Sequence, residues 1–420
     1  MSSRAAGLIR DAEIENTIRM FSSPLFAMAG LDARSVRVYI INDPSLNAFV
    51  AGGQNIFINT GLLMASTSAN QVIGVIAHET GHITGGHLAR THDALSQASW
   101  QSILAMVLGA AAAVGGSAEA GQAIIAAGQQ TAQRGFLKYS RTQESSADQA
   151  AFSILDATGQ SGRGLLEFFE VLGAQEALFT SNQDPYVRTH PIFTERIEAT
   201  VNHLKKSPNT DKIDSPAFQM AHARMRAKLH GFLLPPGQTL QLYPTSNMSI
   251  PAVYARAVAQ HKAHKLAQSL AEVEKLLLIS SEDPYFNELR GQILLENGKA
   301  QDAIPSYRAA VASMPKESQL LTGLGQALLA TEQPDDLVEA LGVLRTSARI
   351  DPRLSSTWRW LAVAYGNTGD IGNAALATAE RYILSGRRND AIVQARRAEH
   401  ELAVGSPGHL RAQDIIAIGR

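Results

Sequence analysis

Apolar residues near the start of the chain fall at helical spacing: Leu8, Ile9, Ile14, Ile18 and Phe21 share one stripe, predicting an amphipathic helix over 8–30. The stretch 36–41 changes the rhythm to a β-branched run that stops at the turn signal Asn42-Asp43-Pro44. Two more short runs, 47–50 and 54–59, flank Ala51-Gly52-Gly53 and read as a hairpin. Helical patterning then dominates. One helix begins at Thr67 or Ser68, either a suitable N-cap, and passes through Val72, Val75, Ile76 and His78 to His82. Others are expected over about 140–158 and 162–178.

From 206 to 250 the periodicity weakens. Pro208, Pro235-Pro236-Gly237 and the stretch 243–251 read as a linker holding one helix, over about 214–230. Beyond it the sequence repeats. Gly291, Leu294, Gly298, Ala303, Tyr307, Ala310 and Pro315 fall at tetratricopeptide spacing, and Trp358, Leu361, Tyr365, Gly369 and Ala374 restart the pattern. Tyr382, Gly386 and Ala391 echo its middle, while the unit around Gly325 is degenerate and carries an insertion. Pro284, Pro315 and Pro352 recur near the ~34-residue period, where prolines are expected to end each second helix. The expected division is 1–205, 206–250 and 251–420: a small α+β domain, a linker, and an α-helical repeat solenoid, the whole mainly α.

Composition narrows the function. A chain of 420 residues exceeds one ordinary core. Its net charge of -1 argues against a general nucleic-acid binder. Cysteine is absent, which removes disulfides, thiolate ligands and cysteine nucleophiles together. Residues 1–11 contain no apolar stretch, so no secretory signal is expected there. The longest apolar tract, about 103–115, falls short of the ~20 residues that a spanning helix needs. The surrounding segment 103–127 reads either as a buried helical hairpin or as a covering segment in peripheral contact with a membrane.

The chemistry concentrates in His78-Glu79-Thr80-Gly81-His82, an H-E-x-x-H motif. Histidines four apart on a helix reach one metal, and Glu79 beside them can take a proton from an attacking water. Zinc suits two imidazoles and a carboxylate with one position left open. A three-histidine site would need histidine at position 88, which is Leu88. His87 is nearby, but on a continuing helix it would lie about 180° from His78. That excludes it as a ligand and leaves it behind a ligand or, more simply, on the surface. Glu144 and Asp148, four apart in an alanine-rich segment, offer a carboxylate ligand and a partner for a ligand imidazole. The small Ser145, Ser146 and Ala147 would let that helix press against the motif helix.

Five ordered motifs carry a resemblance: Asn47-Ala48-Phe49, Asn59-Thr60-Gly61-Leu62-Leu63, the H-E-x-x-H segment, Glu144-x-x-Ala147-Asp148, and His190-Pro191 with Arg196-Ile197. Together they resemble the HtpX and CAAX-prenyl-protease superfamily of gluzincin metallopeptidases. With the repeats attached, the chain is similar to the β-barrel assembly-enhancing proteases within it. The resemblance implies His78, His82 and Glu144 as zinc ligands, Glu79 as general base and Asp148 as support for a ligand histidine. It implies that His190 can fill the open zinc position and hold the enzyme latent, and that Arg196 belongs to the active-site region. Asn47, Ala48 and Phe49 would form the edge on which a substrate strand docks.

The motif reading gives a zinc endopeptidase, and the resemblance implies misfolded or stalled, outer-membrane polypeptides as its substrates and the periplasm as its compartment. Its repeats would engage the outer-membrane assembly machinery and add a chaperone role. The rival is a latent metallopeptidase that serves as a binding and assembly module.

Overall fold

The short strand β1 (Leu8–Ile9) takes the first two residues of the expected helix, because Leu8 and Ile9 pair antiparallel with Ile41 and Ile40. Helix α1 therefore starts later, at Ala12–Met28. The computed structural model that shows this describes residues 7–32, 35–87, 140–178, 190 and 194–418. The segment 103–127 lies outside them. Strand β2 (Arg37–Ile41) runs parallel to β4 (Asn55–Asn59), and β3 (Ala48–Ala51) folds back antiparallel on β4 with Phe49 opposite Phe57. Gly52 and Gly53 make the hairpin turn with φ of 58° and 94°, a region that side chains with a Cβ avoid. The sheet order β1-β2-β4-β3 leaves β3 as an edge strand.

Helix α2 (Thr60–Ala65) follows β4 directly, and α3 (Ala69–Thr84) carries the motif. Ser68 is the N-cap, accepting from the Gln71 backbone N–H at 3.3 Å. Thr67 and Gln71 reinforce the same turn, bonding each other through Thr67 N to Gln71 Oε1 (2.8 Å) and Gln71 Nε2 to Thr67 Oγ1 (2.9 Å). Nearly every residue of α3 from Ala69 to Gly81 is buried, so this helix is a central element of its unit rather than a surface helix.

Two neighbours pack on it: α4, over 140–157, and α5 (Arg163–Leu178). Both approach at glycines. A Cβ on Gly74 would come within 2.9 Å of the Leu165 backbone N in α5, and one on Gly81 within 2.5 Å of the Ala147 carbonyl oxygen in α4. The small residues of 145–147 press α4 onto the motif helix at the motif's own glycine. Helix α6 (Thr194–Leu204) packs on α5. Helices α7 (Pro216–Leu233) and α8 (Pro236–Leu242) occupy the stretch where one helix is expected.

The chain forms two compact units, Met1–Arg10 with Ile14–Arg226, and Asp11–Glu13 with Ala227–Arg420. The second unit is a run of paired helices. They are α9 (Ile250–Lys262) with α10 (Leu266–Ile279), α11 (Pro284–Glu296) with α12 (Ala300–Ser313), and α13 (Ser318–Leu329) with α14 (Pro334–Ile350). α15 (Ser355–Asn367) with α16 (Ile371–Leu384), and α17 (Arg388–Glu401) with α18 (Pro407–Ile418), complete it. Adjacent helices pack through three successive apolar clusters, as stacked repeats require.

Tyr307 on α12 shows why the repeat needs its glycines. A Cβ on Gly291 of α11 would meet its ring at 2.7 Å, and one on Gly323 of α13 at 2.5 Å. The insertion in the degenerate unit sits in its second helix: α14 has 17 residues against 14 in α12 and in α16. Pro284 departs from the expectation that the prolines end helices. It opens α11, whose N-cap Asp283 accepts from the backbone N–H groups of Tyr285 and Phe286, because an N-terminal proline has no amide to waste.

Candidate metal centre

His78, Glu79 and His82 lie within one turn of α3, Glu144 and Asp148 within one turn of α4, and Arg196 at the start of α6. With His190, these side chains form one buried cluster. Its hydrogen bonds sort the roles. His78 Nδ1 is 2.8 Å from Asp148 Oδ1, leaving Nε2 to face Glu144 Oε2 at 3.3 Å and His82 Nε2 at 3.0 Å. His82 Nε2 is also 3.4 Å from Glu144 Oε1. His190 Nδ1 approaches the same point, 3.4 Å from His78 Nε2 and 3.3 Å from Glu144 Oε1.

Four donor atoms, from His78, His82, Glu144 and His190, thus lie within 4.8 Å of one another. Four side chains with lone pairs aimed at one point is an arrangement that a cation relieves. The spacing tests which cation fits. Tetrahedral zinc with bonds of about 2.0–2.1 Å sets its ligands ~3.3 Å apart. The distances from 3.0 to 3.4 Å match that edge.

Arg196 holds the carboxylates in place. Its Nε and Nη2 donate to Asp148 Oδ2 (2.7 Å) and Oδ1 (2.8 Å), a bidentate grip, and Nη1 reaches Glu144 Oε2 at 3.0 Å. Its guanidinium rests on the Phe169 ring, 4.6 Å from the centroid. One cation therefore offsets the repulsion between two buried carboxylates.

Burial works against the charge of Asp148, yet the Arg196 and His78 hydrogen bonds hold its carboxyl below the usual range. Burial likewise opposes ionisation of Glu144, and His190 and His78 outweigh it. His78 follows the same logic with opposite charge: burial disfavours the imidazolium, but Asp148 and Glu144 push it up to about 9. Burial and the neighbouring His78 and His190 charges hold His82 well below the ordinary histidine range.

Glu79 differs from the other carboxylates. It is fully buried, its Oε1 and Oε2 have no hydrogen-bond partner among the described residues, and burial raises its pKa. His190 Nε2 lies 3.6 Å from its Oε1. A buried carboxylate without a donor is costly, so its position points to a partner that arrives with the reaction.

Asn47, Ala48 and Phe49 are placed at the sheet edge: Asn47 precedes β3, Ala48 and Phe49 lie in it, and β3 packs against α3. The surface position favoured for His87 does not hold. The helix stops at Thr84, Gly86 takes a φ of 61°, and His87 turns back to place its Nδ1 3.0 Å from His82 Nδ1. The Gly85-Gly86 pair was the available signal, since two glycines end a helix more readily than they continue it.

A model of peptidase family M48 matches residues 10–203, which hold every group of this cluster. The chain carries a peptidase family M48 domain. A tetratricopeptide-repeat model matches 243–399. Some relatives match over nearly the whole chain. The chain is similar to the beta-barrel assembly-enhancing protease of Yersinia pestis, 25% identical over 96% of this chain and 82% of that protein. The protein of the same name from Escherichia coli (strain K12) matches to the same extent, 25% over 96% and 82%. The metalloprotease YcaL of Escherichia coli (strain K12) is 31% identical over 39% of this chain and 59% of its own length. The M48 domain is thus a metallopeptidase domain followed by a protein-interaction fold. Among the described residues no helix is long and apolar enough to cross a membrane.

Proposed function

We propose that the chain is a zinc endopeptidase, with His78, His82 and Glu144 holding the metal and Glu79 as general base. The observation that carries this is the pairing of three donors at tetrahedral spacing with a buried Glu79 that lacks a hydrogen-bond partner among the described residues. When bound, zinc supplies Lewis-acid polarisation of a carbonyl and lowers the pKa of an attacking water. The rest of the work belongs to the chain. Glu79 takes the proton of that water on a carboxylate oxygen and returns it to the leaving amine. Asp148 fixes His78 in the tautomer whose Nε2 is free to bind. Arg196 keeps Asp148 and Glu144 aligned.

Substrate would enter as an extended strand along Asn47, Ala48 and Phe49, pairing its backbone with the free side of β3. Recognition of this kind reads main chain and selects unfolded over folded polypeptides. By analogy with the named relatives, we assign the activity to periplasmic quality control of outer-membrane proteins. In this reading 1–205 is the catalytic part, 206–250 the linker, and 251–420 the part that engages the outer-membrane assembly machinery. The crowding of His190 Nδ1 against His78 and Glu144 supports a resting state in which His190 takes the fourth position.

Elemental analysis beside casein hydrolysis tests the reading. Glu79→Gln should keep a full complement of zinc while losing proteolysis by about three orders of magnitude or more. Glu144→Ala should lose both. Hydrolysis by Glu79→Gln at the wild-type rate would end the proposal.

A further inference from the structure

The two motif histidines are buttressed differently, and the difference concerns a residue that the reaction scheme above does not use. An imidazole that gives its Nε2 lone pair to a metal carries its proton on Nδ1, and that N–H needs an acceptor. For His78 the acceptor is a carboxylate, Asp148 Oδ1 at 2.8 Å. For His82 it is another imidazole. His82 Nε2 faces His78 and Glu144, while its Nδ1 lies 3.0 Å from His87 Nδ1. The two ring planes stand 79° apart, with centroids 5.0 Å apart.

Local chain geometry is shaped to produce this contact. α3 ends at Thr84, and Gly85 caps it with its backbone N–H bonded to Gly81 O and Ile83 O. Gly86 then reverses the path at a φ of 61°. A Cβ on Gly85 would collide with the His87 ring, and His87 is 4% exposed. Gln143 Nε2 donates to the His87 carbonyl at 3.3 Å, tying the returned segment to α4.

We propose that His87 is a positioning residue for the metal: its Nδ1 lone pair accepts the His82 Nδ1–H and thereby fixes the tautomer and ring plane of that ligand. The proposal rests on the zinc-peptidase reading. An imidazole acceptor in place of a carboxylate gives His82 orientation without the added basicity that Asp148 gives His78. His82 is then the more weakly supported of the two histidine ligands.

The test is zinc affinity of the full chain, by competition with a chromophoric chelator, alongside the absorption spectrum of the cobalt-substituted protein. His87→Ala should weaken zinc binding by about 10–100-fold and shift the cobalt bands. His87→Gln, whose side-chain oxygen can accept the same hydrogen bond, should recover most of the affinity and the wild-type spectrum. His87→Phe retains ring volume without an acceptor. It should bind zinc as poorly as His87→Ala, and it supplies the test if the alanine variant does not fold. Wild-type affinity in His87→Ala or His87→Phe, or a glutamine variant as weak as phenylalanine, overturns the proposal. Failure of the underlying reading looks different, since the wild type itself would then take up no zinc.

Discussion

Glu79 and Glu144 are both buried carboxylates in one cluster, yet their environments drive them apart. Glu144 is surrounded by His78, His82, His190 and Arg196, and against burial the His190 and His78 contacts hold its pKa well below the usual range. Glu79 has no hydrogen-bond donor among the described residues, and burial pushes its pKa up, towards the range where a base both accepts and returns a proton. His190 touches both, with Nδ1 on Glu144 and Nε2 facing Glu79 at 3.6 Å. A side chain so placed competes with substrate for the site. His190→Ala should therefore raise casein hydrolysis several-fold at unchanged zinc content. An unchanged rate in a variant that retains its zinc would count against the latch.

At the scale of elements, the site depends on how closely α3 and α4 approach. Gly81 lies inside the motif without a side chain; its role is to let the Ala147 carbonyl come near. Gly81→Ala should force the helices apart, costing about 1–3 kcal/mol of stability despite the better helix propensity of alanine. Gly342 is the contrasting case, a helical glycine of α14 with nothing within 4 Å of an added Cβ. Gly342→Ala should stabilise by up to about 1 kcal/mol, and urea unfolding of the two variants would show shifts of opposite sign. Much of this architecture was legible from periodicity. The hairpin at Gly52-Gly53, the helix beginning at Ser68, and α5 follow the pattern of their side chains. His78, Glu79, His82, Glu144 and Asp148, singled out by motif or spacing, and His190 and Arg196, supplied by the family resemblance, lie within reach of one another. What pattern could not give was the path after α3. Extending the helix sends His87 to the far side, and only the left-handed Gly86 brings it back. Nor could it give β1, since two residues carry no period and are set by their partners on β2.

At the scale of the molecule, stability should respond to pH through a group outside the candidate metal centre. His222 on α7 is buried, its Nε2 2.8 Å from Ser66 Oγ at the end of α2, and burial with the nearby Arg226 charge lowers its pKa to about 4. The unfolded chain takes up that proton first, near pH 6.5. Stability from this group is unaffected above that pH and falls as pH drops towards 4. The loss from pH 7.5 to 5 should be about 2 kcal/mol, and His222→Gln should remove it from the difference between urea midpoints at the two values. An equal slope in that variant would mean that other groups carry the acid sensitivity. The repeats pose a mechanical question instead. A stack whose units touch only their neighbours should peel from its end under tension one unit at a time. Tyr307, wedged between Gly291 of its own unit and Gly323 of the next, acts as a pawl in that zipper. Pulled from the C-terminus, the chain should yield in small steps until the force reaches α13, and then release two units in a single larger one.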